Sequence, residues 1–288
     1  MTSYTHEATQ RVSWVLAVTA AGNSSIGYTR RMAATPAAVP PLPAVKLNIK
    51  DVMKAINNQD AALKIGEGGF GQVYRGTFSN NPVAVKLLNI GKQRDAFEEL
   101  SREVNAVGMI HHPNIVRLIG YAVSPEEGLF CIVYEYVGGG SFADAIRTHK
   151  KGEALLRYEV QLWILQEVAE ALVYVHALKA VHADIKPDNI LLTADPLHVS
   201  SSPASALAKL CDFGFAKFIT QVNAVTRTHT TVTRVGVSEG YTDPATVKTG
   251  TLSAKTDVYS MVYFTSYMNI TAAIRSVDCY CYAGCCFC

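Results

Sequence analysis

Short stretches of alternating character dominate the chain between about positions 63 and 134, and helical spacing takes over further on. Strand-like segments fall at Leu63–Gly66, Gln72–Thr77 and Val83–Leu88, with a turn at Ser79-Asn80-Asn81-Pro82. Leu47–Asn57, ahead of them, reads as a short helix or strand packed against these strands. Asp95–Met109 carries Phe97, Leu100, Val104 and Val107 at helical spacing, which predicts an amphipathic helix. His111-His112-Pro113-Asn114 breaks it, and strands are expected at Ile115–Tyr121 and Leu129–Tyr134. Gly138-Gly139-Gly140 reads as a hinge. Tyr158–Ala177 is the clearest helix, with Val160, Trp163, Ile164, Val168, Ala171, Leu172 and Val175 on one stripe and Glu159, Gln166, Glu167 and Glu170 off it. Strands followed by helices predict an α+β fold with a strand-rich first lobe and a mainly helical second one.

Three polar features disturb this pattern. In Val83-Ala84-Val85-Lys86-Leu87, alternation puts Lys86 on the face of Ala84, opposite Val83, Val85 and Leu87. A lysine in so apolar a strand needs a partner or an anionic ligand. Glu103 borders the apolar stripe of its helix and is the candidate partner. Further on, Val181–Leu192 packs Asp184, Lys186, Asp188 and Asn189 into a loop that runs into an apolar strand. The strand Leu207–Cys211 then delivers Asp212-Phe213-Gly214, an acid at a strand end with a flexible glycine after it.

Upstream, Gly66, Gly68 and Gly71 form a G-x-G-x-x-G pattern in the run Ile65–Gly76. A dinucleotide-binding version would open a helix. Here the glycines lead into Gln72-Val73-Tyr74-Arg75, so they sit between two strands of a hairpin. Glycines there let backbone N–H groups approach phosphate oxygens without a Cβ in the way.

Together, and in this order, these motifs resemble the eukaryotic protein kinase family from roughly Leu63 to Tyr263. The resemblance is to the plant receptor-like and interleukin-receptor-associated branch of Ser/Thr kinases, through Ile65–Gly76, His111–Tyr121, Ile132–Ser141 and Leu252–Ser260. It implies a two-lobed kinase-like fold using ATP and magnesium. Gly66, Gly68 and Gly71 would cover the ATP phosphates, Ile65 would belong to the same nucleotide-binding set, and Val73 with Ala84 would sandwich the adenine. Lys86 would hold the α- and β-phosphates and be held by Glu103. Tyr134 resembles the gatekeeper, with Glu135 to Val137 supplying backbone hydrogen bonds to adenine. Asp184 is implied as catalytic base, Lys186 as the cation at the γ-phosphate, and Asn189 and Asp212 as magnesium ligands. Lys186, two residues after Asp184, is the Ser/Thr pattern, and Ser238 matches the activation-segment hydroxyl of that class.

Three positions depart from the family. Ala183 stands where an Arg usually precedes the catalytic Asp, which puts control through that Arg and a phosphorylated loop in doubt. Ala245 comes after Asp243-Pro244 where a Glu is usual. Asp257-Val258-Tyr259-Ser260 matches the start of the central helix of the second lobe, where Asp257 would brace the catalytic loop, but the resemblance fades after Met261. These departures keep two alternatives open: a catalytically impaired nucleotide-binding scaffold, and a truncated gene-model fragment.

Composition bounds the rest. The 288 residues are 49% hydrophobic with a net charge of only +2, which argues against a nucleic-acid binder. The seven cysteines include five crowded at 279–288 and make no disulfide framework in the body, so a reducing compartment is expected. That tail fits no zinc module and is read as of unknown role, and His111-His112 as structural; Cys211 is read as a small packed residue lining the pocket. The expected organisation is a disordered arm and linker (1–44), a juxta-domain segment (45–62), an N-lobe (63–137), a partial C-lobe (138–268) and the Cys-rich tail (269–288). The expected partners are a Ser/Thr-bearing protein substrate and an upstream receptor or adaptor. The location is read as cytoplasmic, with membrane association only through the tail. An organelle is the alternative, because residues 1–50 also have the composition of a transit peptide.

Overall fold

The computed structural model describes residues 44–68, 71–89, 100–101, 104, 107–150, 156–199, 206–212, 217–218, 230–231, 241, 243–249 and 251–267. The arm before 44, Glu103, Phe213 and Gly214, Ser238 and the cysteine tail therefore lie outside the described residues.

The first lobe is a six-stranded sheet. Its members are β1 (Val45–Lys46), β2 (Lys64–Gly68), β3 (Gly71–Phe78), β4 (Asn81–Asn89), β5 (Leu118–Ser124) and β6 (Leu129–Glu135), in spatial order β1-β5-β6-β4-β3-β2. All neighbours are antiparallel except β1, which runs parallel to β5. The ambiguous segment Leu47–Asn57 resolves as helix α1 (Ile49–Ala55), started by Asn48, whose side chain accepts the Lys50 N–H at 2.9 Å.

Alternation along the strands divides the apolar residues between two faces. Val83, Val85, Leu87, Cys131 and Val133 turn to the outer face, where Val52 and Ile56 complete one core. Both of these are fully buried, a burial of about 2 kcal/mol each. Phe130, Ile132 and Tyr121 turn to the inner face and pack with Val104 and, partly buried, Leu100. Helical backbone at Leu100–Ser101, Val104 and Val107–Gly108 agrees with the helix expected over 95–109.

The second lobe is organised by α3 (Tyr158–Ala177), preceded by α2 (Phe142–Lys150). Ser141 and Asp144 start α2 reciprocally: the Ser141 hydroxyl accepts the Asp144 N–H at 3.1 Å, and the Asp144 carboxylate accepts the Ser141 N–H at 3.3 Å. The bounds of α3 match the sequence expectation, but its single stripe is a correction. Gln161, Leu162, Leu165 and Ala169 are buried too, while Trp163 is only half-buried. The helix is central and covered on most sides, so its polar positions become internal anchors.

Short strands come next: β7 (Ala180–Val181), β8 (Ile190–Leu192), β9 (Ala208–Leu210), β10 (Lys217–Phe218) and β11 (Thr230–Thr231). Then come α4 (Pro244–Thr249), β12 (Thr251–Leu252) and α5 (Ala254–Tyr267). Asp243 caps α4 through the Ala245 N–H at 2.9 Å. No helix among the described residues is long and apolar enough to cross a membrane.

A second correction concerns the strand expected at Ile115–Tyr121, which begins only at Leu118. Ile115 forms an isolated parallel bridge to Leu210, and Val116 N–H donates to Leu210 O at 2.9 Å. The apolar run serves two sheets, because its first residues dock on the second lobe.

Candidate active site

The glycine-rich turn joins β2 to β3 as a hairpin in which Gly66 faces Val73 and Gly68 faces Gly71. Gly71 has φ +126°, and a Cβ there would lie 1.9 Å from the Leu87 carbonyl oxygen. The turn needs glycine on both counts. Ile65, on β2, is half exposed at 50%.

The ladder brings the other first-lobe candidates into two rows. Val73 pairs with Lys86 and Lys86 with Ile132, while Ala84 pairs with Tyr134 and Tyr134 with Leu118. Tyr134 is partly buried, and desolvation pushes its phenol above the ordinary tyrosine range, with the carboxylate of Asp212 adding to the effect.

Glu135 turns its side chain away to accept from Lys209 Nζ at 2.8 Å and the Arg117 N–H at 2.9 Å. Its own N–H donates to Arg117 O at 3.0 Å, and that of Tyr136 to Pro82 O at 3.3 Å. These bonds occupy two N–H groups of the segment expected to contact adenine, Glu135 to Val137, and leave its carbonyl oxygens out of account. Val137 keeps an N–H with no backbone partner among the described residues, because the ladder consumes the other two.

Lys86, only 9% exposed, meets Asp212 across the lobes, with Nζ 2.5 Å from Oδ1. The charge that alternation left inside an apolar strand is thus compensated by a carboxylate 126 positions away. The expected Lys86–Glu103 pairing involves a residue outside the described set. Asp212 sits at φ +61°, a left-handed turn that β9 enters directly. Cys211, just before it, is half-buried, and its surroundings, by desolvation first, raise its thiol to about 12.

Asp184, Lys186 and Asn189 form one network. Lys186 Nζ donates to Asp184 Oδ2 at 2.8 Å, and Asn189 Nδ2 donates to both Asp184 Oδ2 and Asp184 O at 2.8 Å. The Cys211 N–H donates to Asn189 O at 2.9 Å, which seats this loop beside Asp212. His182, fully buried, accepts the Asp184 N–H at Nδ1 (3.2 Å) and reaches Cys211 O from Nε2 (3.0 Å). That pattern makes Nε2 the protonated nitrogen.

Beneath the loop lies Asp257 on α5, with no exposure. It accepts the His182 N–H at 2.9 Å, the Ala183 N–H at 2.7 Å and His176 Nε2 at 2.7 Å. The expected bracing of the loop by Asp257 is therefore present. Ala183 itself lies at φ +69°, where an L-residue is strained by about 1 kcal/mol. The two N–H bonds to Asp257 hold it there.

Three residues with structural roles at the site carry no sequence signal that would single them out. His182 and His176 read as ordinary polar positions, since nothing in their spacing points to a buried carboxylate 75 or 81 residues on. Helical spacing sets Glu167 off the apolar stripe. It is mostly buried instead, and its carboxylate accepts the N–H groups of Leu207 and Ala208 at 2.9 and 2.6 Å, anchoring the start of β9. Desolvation raises its pKa above the usual carboxylate value. His112 is structural, as expected: it accepts the Asn114 N–H and packs on Tyr174.

A Protein kinase domain matches residues 60–274. The chain belongs to the protein kinase family. It is similar to U-box domain-containing protein 33 of Arabidopsis thaliana, 36% identical over 216 residues, covering 74% of this chain and 24% of that protein. A probable receptor-like protein kinase of the same plant is 36% identical over 218 residues, 74% of this chain and 41% of the relative. Proline-rich receptor-like protein kinase PERK3, again from Arabidopsis thaliana, is 36% identical over 214 residues, 73% and 38% of the two chains. This kinase-family chain thus spans well under half the length of these relatives.

Proposed function

We propose that this chain is an ATP-dependent protein serine/threonine kinase, transferring the γ-phosphate of ATP to a protein hydroxyl. The observation that carries the reading is the Lys86–Asp212 pair between the lobes, set against the Asp184–Lys186–Asn189 network. Two carboxylates, an amide oxygen and two ammonium groups in one cleft suit a polyphosphate and a hard cation better than an apolar ligand.

The residues fit a magnesium ion. Asp212 offers carboxylate oxygen, and Asn189, whose Nδ2 is spent on Asp184, keeps its carbonyl oxygen as a donor. Bound there, the ion would neutralise charge on the phosphate oxygens. Lys86 would hold the α- and β-phosphates under the Gly66–Gly71 turn, and Val73 and Ala84 would line the adenine. Asp184 would orient the substrate hydroxyl and take its proton, and Lys186 would face the transferred group. Receptor-like and U-box-containing relatives favour a protein substrate in a signalling setting.

The test is transfer of labelled γ-phosphate to itself and to a generic basic protein, with Lys86→Met, Asp184→Asn and Asp212→Asn as comparisons. The expected result is transfer by the wild type and a loss of at least a hundredfold in each variant. A folded wild type that binds Mg-ATP and transfers nothing would replace this reading with that of a nucleotide-binding scaffold.

A further inference from the structure

Residues 44–57 lie ahead of the matched kinase domain, which begins at 60, yet they straddle the edge of its first sheet. On the inner face, Ala44 packs against the buried cluster of Val104, Tyr121, Phe130 and Ile132, which Leu100 and Tyr134 also border. Val45–Lys46 then runs along the edge as β1, paired with Gly120–Tyr121, and the Leu47 N–H donates to Tyr121 O at 2.7 Å. On the outer face, α1 places Val52 and Ile56 in the core against Val83, Val85 and Val133. One segment thus grips both sides of the sheet and covers an otherwise free edge of β5.

The lobe is shaped to receive it. A Cβ on Gly108, at the end of the helix that includes Leu100 and Val104, would lie 2.7 Å from Ala44 N. A Cβ on Gly120 would lie 2.4 Å from Val45 O, and one on Gly76 would lie 2.5 Å from Ala55 O. Glycine in a strand or a helix is ordinarily a cost. Three of them, each facing backbone of this one segment, show close approach as their common purpose. Three successive left-handed residues, Asn57, Asn58 and Gln59, turn the chain from α1 back toward β2.

We propose that residues 44–57 are a clip that positions the helical residues Leu100–Ser101, Val104 and Val107–Gly108 against the sheet, and through them the inner wall of the nucleotide site. The wall in question is the cluster shared by Ala44, Leu100, Val104 and Tyr134, next to Lys86 on β4. The idea rests on the kinase reading only for the nature of the ligand.

The experiment is hydrogen exchange of the full chain with Gly108→Ala and Gly120→Ala, beside the affinity for a fluorescent ATP analogue. Gly108→Ala carries a sign test, because alanine favours an unencumbered helix over glycine. The expected result is exchange at least tenfold faster in 100–108 and 118–124 in both variants, with amides of α3 still protected as the control for folding. Analogue affinity should fall at least threefold. Unchanged or slower exchange in 100–108 while 45–46 opens would overturn the proposal, since the segment would then be a passive covering. If Gly120→Ala loses protection in α3, Gly108→Ala alone decides. A wild type that binds no analogue would sink the ATP reading instead, and exchange would still decide the clip.

Discussion

Replacing Asp257 by Asn tests the scaffold beneath the candidate catalytic loop. The wild-type carboxylate, fully buried, takes three hydrogen bonds: His182 N–H, Ala183 N–H and His176 Nε2. His176 Nδ1 has no partner among the described residues, so its proton belongs on Nε2, facing Asp257. Asparagine keeps one acceptor and turns an NH2 toward at least one donor. In the cheaper orientation, the amide displaces the oxygen facing Ala183 and leaves one buried N–H unpaired, about 1–3 kcal/mol. Loss of the charge from the remaining bonds adds roughly 1 kcal/mol. Together these give about 2–4 kcal/mol, or a fall in Tm on the order of 5–15 °C for a folded unit of this size. The assay is thermal and urea unfolding monitored by circular dichroism. Ala183→Gly is the complement: it removes the strain at φ +69°, partly offset by unfolded-state entropy, and should be neutral to about 1 kcal/mol stabilising. A fall of less than about 2 °C in Asp257→Asn would refute the reasoning, as would marked destabilisation by Ala183→Gly.

Two further predictions concern titrating groups. Burial and the nearby Lys209 ammonium lower His112 to about 4, below its ordinary value, so the unfolded chain takes up the proton first. Its contribution is complete above about pH 6.5 and is lost as pH falls toward 4, an effect of about 2 kcal/mol after allowing for partial exposure. His112→Gln should flatten the stability profile across that window; an unchanged slope by urea titration at stepped pH refutes it. Cys211, its thiol near 12, should be alkylated by iodoacetamide at pH 8 roughly a thousandfold more slowly than an ordinary cysteine. Peptide mapping by mass spectrometry reads this directly, and modification within minutes would show the thiol to be exposed.

Legibility from the sequence tracks the range of the interactions. The β3–β4 hairpin is readable because alternation is local, and α3 because its helical spacing is unbroken over its whole length. Lys86 is conspicuous as a charge in an apolar strand, but its partner Asp212 comes from the other lobe, and no spacing rule connects them. Resemblance names Glu103 as the partner of Lys86 and Asp212 as a magnesium ligand, so the Lys86–Asp212 pair is seen only in the structure. Resemblance does supply Asp257 beneath the loop. Ile115 and Val116 mislead the strand boundary because they pair with β9, far away in sequence. Glu167 misleads in the same manner: helical periodicity reports a solvated face until a strand start arrives some 40 residues later to use the carboxylate.

That carboxylate has a consequence for engineering. Glu167 holds the N–H groups of Leu207 and Ala208, while Thr193 donates its N–H to Leu207 O at 2.8 Å and its hydroxyl to Ala206 O at 2.8 Å. The stretch from 193 to 207 is therefore tied off at its neck, shortly before Asp212. Lengthening such a closed loop costs only logarithmically in entropy. A peptide tag or a small reporter domain spliced between 200 and 205 would hang from that knot, with its own movements isolated from β9.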